Sequence, residues 1–118
     1  MAVEDGAVLG RLLGLFARAG EPKSSLPALM RLYQSIRKER ATTVVKTAEE
    51  NRVVYHMLDG AAQQKRDVFL SQHDMWDEKI SAPWALVDFS SMSALYGFDT
   101  IQSADDGFAK SGLGTSVS

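Results

Sequence analysis

The stretch MAVEDGAVLGRLLGLF, residues 1–16, decides the fold class of this chain. Val8, Leu12 and Phe16 recur at helical spacing, and the leucines beside them widen the apolar face. No Ser, Thr, Asp or Asn stands ahead of the first turn to accept its unpaired N–H groups. The stretch therefore predicts a helix over residues 2–19 that starts without a side-chain cap, and Gly20 is a natural stop.

Three glycines of this helix, Gly6, Gly10 and Gly14, recur every four residues and so fall on one narrow strip. Each costs about 1 kcal/mol relative to alanine in a helix interior. A helix accepts that cost where a neighbouring backbone comes very close. The strip predicts a helix that lies against a tight surface. The alternative is that the glycines reflect sequence drift.

The composition is that of a small soluble protein. The chain has 118 residues, 45% of them hydrophobic and 24% charged, which fits one domain at most. A net charge of −2 gives no reason to expect nucleic acid, and the lack of cysteine excludes disulfides and thiolate metal sites. The apolar run at the N-terminus is shorter than the ~20 residues needed to span a bilayer. We expect a cytoplasmic chain that binds neither nucleic acid nor membranes.

The remaining pattern is also helical, and no strand pattern is convincing. Ser25 is a plausible N-cap for a second long helix that reaches about Leu58 with a thin apolar stripe. Such a thin stripe is typical of a helix that crosses a larger body. A third helix is predicted over residues 61–72, and a short one over 101–109. The fold class is therefore mostly α: two long helices and one or two shorter ones.

The C-terminal part carries less regular signals. From Asp74 to Asp99 the chain is turn-rich and aromatic, with no sustained period. The final residues are small and polar, so we divide the chain into a helical region, 1–110, and a disordered tail, 111–118.

Charged groups offer several weak candidate sites. His56 and His73 lie too far apart in sequence to share one helical face, so ordinary surface histidines are favoured over a metal site. Glu4 and Asp5 point about 100° apart on a helix, and acidic residues in a first turn favour the helix dipole. The run at residues 37–40, Arg-Lys-Glu-Arg, is interpreted as a solvated helix face and not as an anion site.

Aromatic and hydroxyl groups are equally unspecific. The aromatic side chains of the irregular segment either line a pocket or, as we favour, anchor that segment to a core: Trp76, Trp84, Phe89, Tyr96 and Phe98. The serines at positions 90, 91 and 93 have no nucleophile elbow around them. We therefore assign no catalytic, cofactor-binding or metal-binding residue.

The order of three segments resembles a known family. MAVEDGAVLGRLL, LPALMRLYQSIRKERATTVVKTAEEN and ALYGFD, in this order, are similar to the C-terminal part of FAD-dependent aromatic-ring monooxygenases of the salicylate-hydroxylase-like branch. The resemblance covers about residues 1–105. It implies a detached C-terminal portion of an α/β flavoprotein fold, in which the first helix packs closely against the FAD domain.

The resemblance also implies what this chain lacks. The family's Gly-rich dinucleotide turn and its catalytic Arg and Tyr would lie ahead of Met1, so we expect a truncated protein that holds neither FAD nor NAD(P)H by itself. It would support hydroxylation only with a separate flavin-domain chain, in a specialised-metabolite or aromatic-compound pathway. The alternatives are a non-catalytic helical interaction module that binds a partner or itself, and a small stand-alone enzyme with a pocket around Trp76, Trp84 and Tyr96.

Overall fold

The computed structural model describes residues 1–74, 77–84 and 87–115, and within these ranges it is helical and contains no strand. The predicted mostly-α fold class is thus confirmed. In chain order the elements are α1 (Ala2–Arg18), a short 3₁₀ turn (Lys23–Ser25), α2 (Leu26–Tyr55), α3 (Ala61–Gln72), α4 (Phe89–Tyr96) and α5 (Thr100–Lys110).

The sequence places most of these elements correctly. Helices α1, α3 and α5 match their predicted bounds to within one residue, and α1 has no side-chain cap at its start. Gly20 takes a left-handed φ of 69° and ends α1 as predicted. Helix α2 ends at Tyr55, three residues before the predicted Leu58.

Helix α4 is the element that the sequence pattern missed. Asp88 precedes it and accepts hydrogen bonds from the backbone N–H and the hydroxyl of Ser91, which is a typical N-cap. Only Met92 of this eight-residue helix is buried, so its apolar period is too short to detect. The N-cap at Asp88 was the available signal.

The chain divides into two compact units. The first comprises Met1–Thr42 and Asp99–Ser118 and is built on α1, the first part of α2, and α5. Its core is formed by five buried side chains: Val8, Leu12, Phe16, Leu29 and Ala104. A leucine buried as fully as Leu12 or Leu29 contributes about 2 kcal/mol relative to an exposed one.

The second unit, Thr43–Phe98, contains the rest of α2 together with α3 and α4. Val54, Val87 and Met92 are its buried apolar side chains among the described residues. Arg66 of α3 donates from Nη1 to the backbone carbonyl of Val54, at 2.5 Å, and so satisfies one of the free carbonyls at the end of α2.

The first residues of the predicted tail make contacts in the first unit. Gly112 and Gly114 both adopt positive φ, and Leu113 between them packs against the core. The N–H of Gly114 donates to the Glu21 carboxylate at 2.6 Å. Residues 116–118 lie outside the described ranges. The disorder of the tail and the boundary at residue 110 stay predictions.

A close helix approach that needs glycine occurs at Gly107 on α5. A Cβ atom there would lie 2.6 Å from Cδ1 and 3.1 Å from Cγ1 of Ile36 on α2. Real Cβ atoms almost never come this close to another heavy atom, so a Cβ at position 107 would require the Ile36 side chain to shift.

We predict that two Gly→Ala substitutions change the free energy of unfolding differently. Gly10→Ala has open space around its Cβ and should raise the free energy of unfolding by about 1 kcal/mol through helix propensity. Gly107→Ala gains the same propensity, but overpacking against Ile36 costs about 1–3 kcal/mol, so this variant should be the less stable of the two. Urea unfolding followed by circular dichroism measures both. Equal stabilisation by the two substitutions would contradict the close approach at Gly107.

Candidate docking face of the first helix

Helix α1 has a covered side and an open side. Val8, Leu12 and Phe16 are buried in the core of the first unit. On the opposite side, five exposed residues follow a 3-4-3-4 spacing and form what we call the open face: Val3, Gly6, Gly10, Leu13 and Ala17. Val3 is 87% exposed, and none of the five carries a charge. The open face is thus an uncharged surface that no other described part of the first unit covers.

The glycines of α1 belong to this open side. A Cβ atom at Gly6 or Gly10 would meet no heavy atom within 4 Å, and one at Gly14 would meet only the Nη2 of Arg18, at 3.7 Å. The tight surface that the glycine strip predicts is therefore not supplied by the described residues of this chain. Gly6 and Gly10 therefore leave a shallow channel without side chains on the open face.

Charged residues of α1 that form ion pairs do so on the covered side. Arg11 donates from Nε and Nη2 to the two oxygens of Asp105 on α5, at 2.6 and 2.9 Å. Glu4 and Asp5 bind arginines of α2. A helix that is apolar on two opposite sides is normally buried on both. Helix α1 therefore has the composition of a central helix that is covered here on one side.

The ion cluster at the start of α1 consists of Glu4, Asp5, Arg37 and Arg40. Arg37 donates from Nε to Asp5 at 2.7 Å and from Nη2 to Glu4 at 3.1 Å. Arg40 donates from Nε and Nη2 to the two oxygens of Glu4, at 3.3 and 3.2 Å. Because Arg37 and Arg40 are three residues apart on α2, both side chains reach the same point of α1.

The prediction of a solvated face for residues 37–40 is wrong at Arg37. This residue is only 5% exposed, and its Nη1 finds no hydrogen-bond partner among the described residues. A buried unpaired donor costs about 1–3 kcal/mol, which the charge-assisted bonds to Glu4 and Asp5 must offset. The arginine spacing and the acidic first turn are both visible in the sequence, but nothing there shows that the two segments meet.

The ion cluster shifts the pKa values of Glu4 and Arg37. Hydrogen bonding by Arg40 lowers the pKa of Glu4 more than partial burial raises it, and Arg37 adds to the lowering. Burial tends to lower the pKa of Arg37, but the hydrogen bonds to Asp5 and Glu4 leave it raised. Arg11 likewise lowers the pKa of Asp105 by hydrogen bonding. All these groups are held in their charged forms.

The two histidines belong to the second unit. His56 is exposed, and the His73 ring stacks on Phe69 at 4.2 Å with its Nδ1 2.8 Å from the Phe69 carbonyl oxygen. Over the described ranges, no three His, Asp or Glu side chains come close enough to hold a metal ion. The same ranges contain no helix with the length and apolarity to cross a bilayer.

The aromatic candidates are divided among different environments. Trp84 packs edge-on against Phe69 with a centroid distance of 5.5 Å, as an anchor would, whereas Tyr96 is mostly exposed and anchors nothing by burial. Trp76 lies outside the described residues. Ser91, one of the three candidate serines, bonds the α4 cap Asp88. The described aromatic side chains therefore give no support to an enzymatic pocket.

An open groove runs along α3 in the second unit. It has a volume of about 460 Å³, and its described lining residues all lie on α3: Ala61, Gln64, Lys65, Val68, Phe69 and Gln72. Lys65 is the one charged group in this lining, so the groove offers little to fix a polar ligand.

The sequence of this chain is similar to that of a known protein. The chain is similar to the FAD-dependent monooxygenase OpS4 of Beauveria bassiana (strain ARSEF 2860). The two sequences are 38% identical over 112 residues, which is 95% of this chain but 25% of OpS4. The chain therefore spans about a quarter of the length of the curated relative that it matches. The match includes most of α1 or all of it, since it leaves out few residues of the chain.

Two other comparisons were negative. No protein-family model matches the sequence, and no solved structure matches the chain. The likeness to OpS4 thus supports the FAD-dependent monooxygenase resemblance, while the salicylate-hydroxylase-like branch stays a prediction.

We predict that Glu4 makes stability depend on pH. Folding lowers the pKa of the Glu4 carboxyl. Such a group stabilises the folded protein at pH values above its ordinary pKa of about 4.3. This contribution is lost as the pH falls through the lowered pKa. Glu4→Gln should therefore reduce the urea midpoint at neutral pH. The difference from the unsubstituted chain should shrink as the pH is lowered below about 4.

The matched control is Glu50→Gln, at an exposed glutamate of α2 in the second unit. It should leave the pH dependence of the urea midpoint unchanged. A difference between the unsubstituted chain and Glu4→Gln that stays constant down to strongly acidic pH would contradict the role given to the ion cluster.

Proposed function

We propose that this chain is the helical portion of an FAD-dependent monooxygenase and acts by packing the open face of α1 onto a flavin-bearing part. The observation that carries the proposal is the combination of a covered and an open apolar side on α1. The likeness to OpS4 supports a flavin-bearing part as the body that covers the open face, because about three quarters of that relative lie outside the matched region.

The chemistry of the open face defines the surface that it would fit. Its exposed residues are uncharged, and Gly6 and Gly10 leave a shallow channel with no side chain in it. A matching surface must be apolar and must place backbone or a bulky side chain in this channel. Burial of Val3, 87% exposed here, would contribute about 1.5–3 kcal/mol, and burial of Leu13, 41% exposed, about half as much.

We assign no FAD site to the described residues. A phosphate group needs free hydrogen-bond donors or positive charge, yet at the first turn of α1 the guanidinium groups of Arg37 and Arg40 are already bound to Glu4 and Asp5. The groove on α3 has only Lys65 to meet a phosphate group. We therefore assign the flavin, and every step of the oxygenation, to the flavin-bearing part and not to side chains of this chain.

This division of labour limits the function of the chain alone. It would assist hydroxylation only when combined with a flavin-bearing part, on a separate chain or on the same one. A place in a specialised-metabolite or aromatic-compound pathway stays a prediction of the resemblance.

A non-catalytic interaction module is the second candidate. Exposed apolar side chains in the second unit favour it, notably Leu58 at 90% exposure together with Tyr55 and Val68. Such a module would self-associate or bind a helical partner without any flavin. Light scattering on the purified chain separates the candidates, because a charge introduced by Gly10→Lys disfavours burial of the open face, so that self-association which persists in this variant uses another surface.

The proposal predicts a functional chimera. If the matched region of OpS4 is replaced by this chain, the chimera should retain flavin absorbance after purification, because the open face restores the internal packing. Loss of flavin from the chimera, under conditions in which OpS4 keeps it, would contradict the proposal. The isolated chain should purify without flavin.

A matched pair of substitutions locates the effect. Gly10→Leu fills the channel of the open face and should reduce flavin retention by the chimera, although leucine at an exposed helix position stabilises the isolated chain. Ala48→Leu adds a leucine at an exposed position of α2 and should leave flavin retention unchanged. Equal retention in the two variants would exclude the open face as the packing surface.

A further inference from the structure

We infer that the ion cluster of Glu4, Asp5, Arg37 and Arg40 selects which of the two apolar sides of α1 is buried within this chain. Arg37 is then a positioning residue: it holds the covered side against α2 and thereby turns the open face outward. What the open face is for rests on the proposed function. The selection of one side over the other does not.

The selection is needed because both sides of α1 are apolar. Val8 and Leu12 lie on the covered side, whereas Val3 and Leu13 lie on the open side. The covered side also carries Phe16 and so buries more area, but the hydrophobic effect is non-directional and leaves the exact rotation of α1 to be fixed by directional contacts. A half-turn of α1 about its axis would exchange them.

The geometry of Arg37 opposes that half-turn. Glu4 and Asp5 are successive helical residues, so their side chains leave α1 about 100° apart. The Arg37 guanidinium binds Asp5 through Nε and Glu4 through Nη2, and Arg40 also binds Glu4. Rotating α1 would carry both carboxylates to its far side and leave Arg37 buried without an acceptor.

A second contact fixes the rotation further along the helix. Arg11 lies between the two ends of α1, and both of its bonds go to Asp105 on α5. The helix is thus held to α2 near its start and to α5 near its middle. Both contacts are on the covered side.

If the ion cluster only stabilised the chain, removing it would lower the thermal midpoint and leave α1 in one orientation. Replacing a buried ion pair by uncharged groups of similar volume can leave stability unchanged while the orientation that the pair specified is lost, as we expect here. The experiment is therefore the triple variant Glu4→Gln, Asp5→Asn, Arg37→Met, studied as the full chain by ¹H–¹⁵N NMR. We expect more than one set of amide signals for α1, with the thermal midpoint kept.

A control variant carries the same change of charge elsewhere. Glu49→Gln, Glu50→Gln and Arg52→Met alter exposed residues of α2 and should give a single set of signals. A single set of α1 signals at unchanged positions in the Arg37 triple variant would overturn the inference. Because the chain is measured alone, this result is independent of whether the OpS4 chimera retains flavin.

A second variant decides the matter if the triple variant does not fold. Arg37→Lys keeps the charge but not the planar fork that binds two carboxylates. Hydrogen exchange should then become faster at the amides of residues 5–8 of α1 than in its last turn, relative to the unsubstituted chain. Arg31→Lys, at an exposed arginine of the same helix, is the control. Unchanged exchange at residues 5–8 of Arg37→Lys would overturn the inference.

Discussion

The structure depends on the burial of a helix that is apolar on two sides. Helix α1 gives Val8, Leu12 and Phe16 to a core shared with α2 and α5. That core covers one side and leaves the other, with Gly6 and Gly10, facing outward. The stabilising free energy from burying an apolar helix is largest when both of its sides are covered. The open face is thus the part of the first unit whose composition the unit itself does not explain.

The glycine strip and the ion cluster make sense together under this constraint. Three glycines cost about 3 kcal/mol of helix propensity in α1, and within the described residues no close neighbour offsets that cost. The ion cluster keeps the glycine side outward, where a second body can reach it. Gly107 shows the contrast, because there a glycine meets its close neighbour, Ile36, inside the same unit.

Local signals made the helices predictable. The apolar spacing of α1, the stop at Gly20 and the break at Asp59-Gly60 are all properties of a few adjacent residues, and the structure follows them. Helix α4 escaped because one buried residue, Met92, does not make a period.

The candidate site was less predictable because it depends on contacts between distant segments. That Arg37 is buried against Glu4 and Asp5 requires α1 and α2 to pack in a particular register, over a separation of 32 residues or more. The glycine strip did indicate a close surface, but the sequence could not show that this chain leaves it uncovered.

Cysteine labelling tests directly whether the open face of α1 is covered by a flavin-bearing part, because the natural chain has no cysteine. A thiol introduced by Ala17→Cys lies on the open face, and one introduced by Ala48→Cys lies on an exposed part of α2. Maleimide labelling at each site is quantified by mass spectrometry in the isolated chain and in the OpS4 chimera. If the open face packs against the flavin-bearing part, the Ala17→Cys thiol should label rapidly in the isolated chain and slowly in the chimera. The Ala48→Cys thiol should label rapidly in both. Equally rapid labelling of the Ala17→Cys thiol in the two proteins would contradict it.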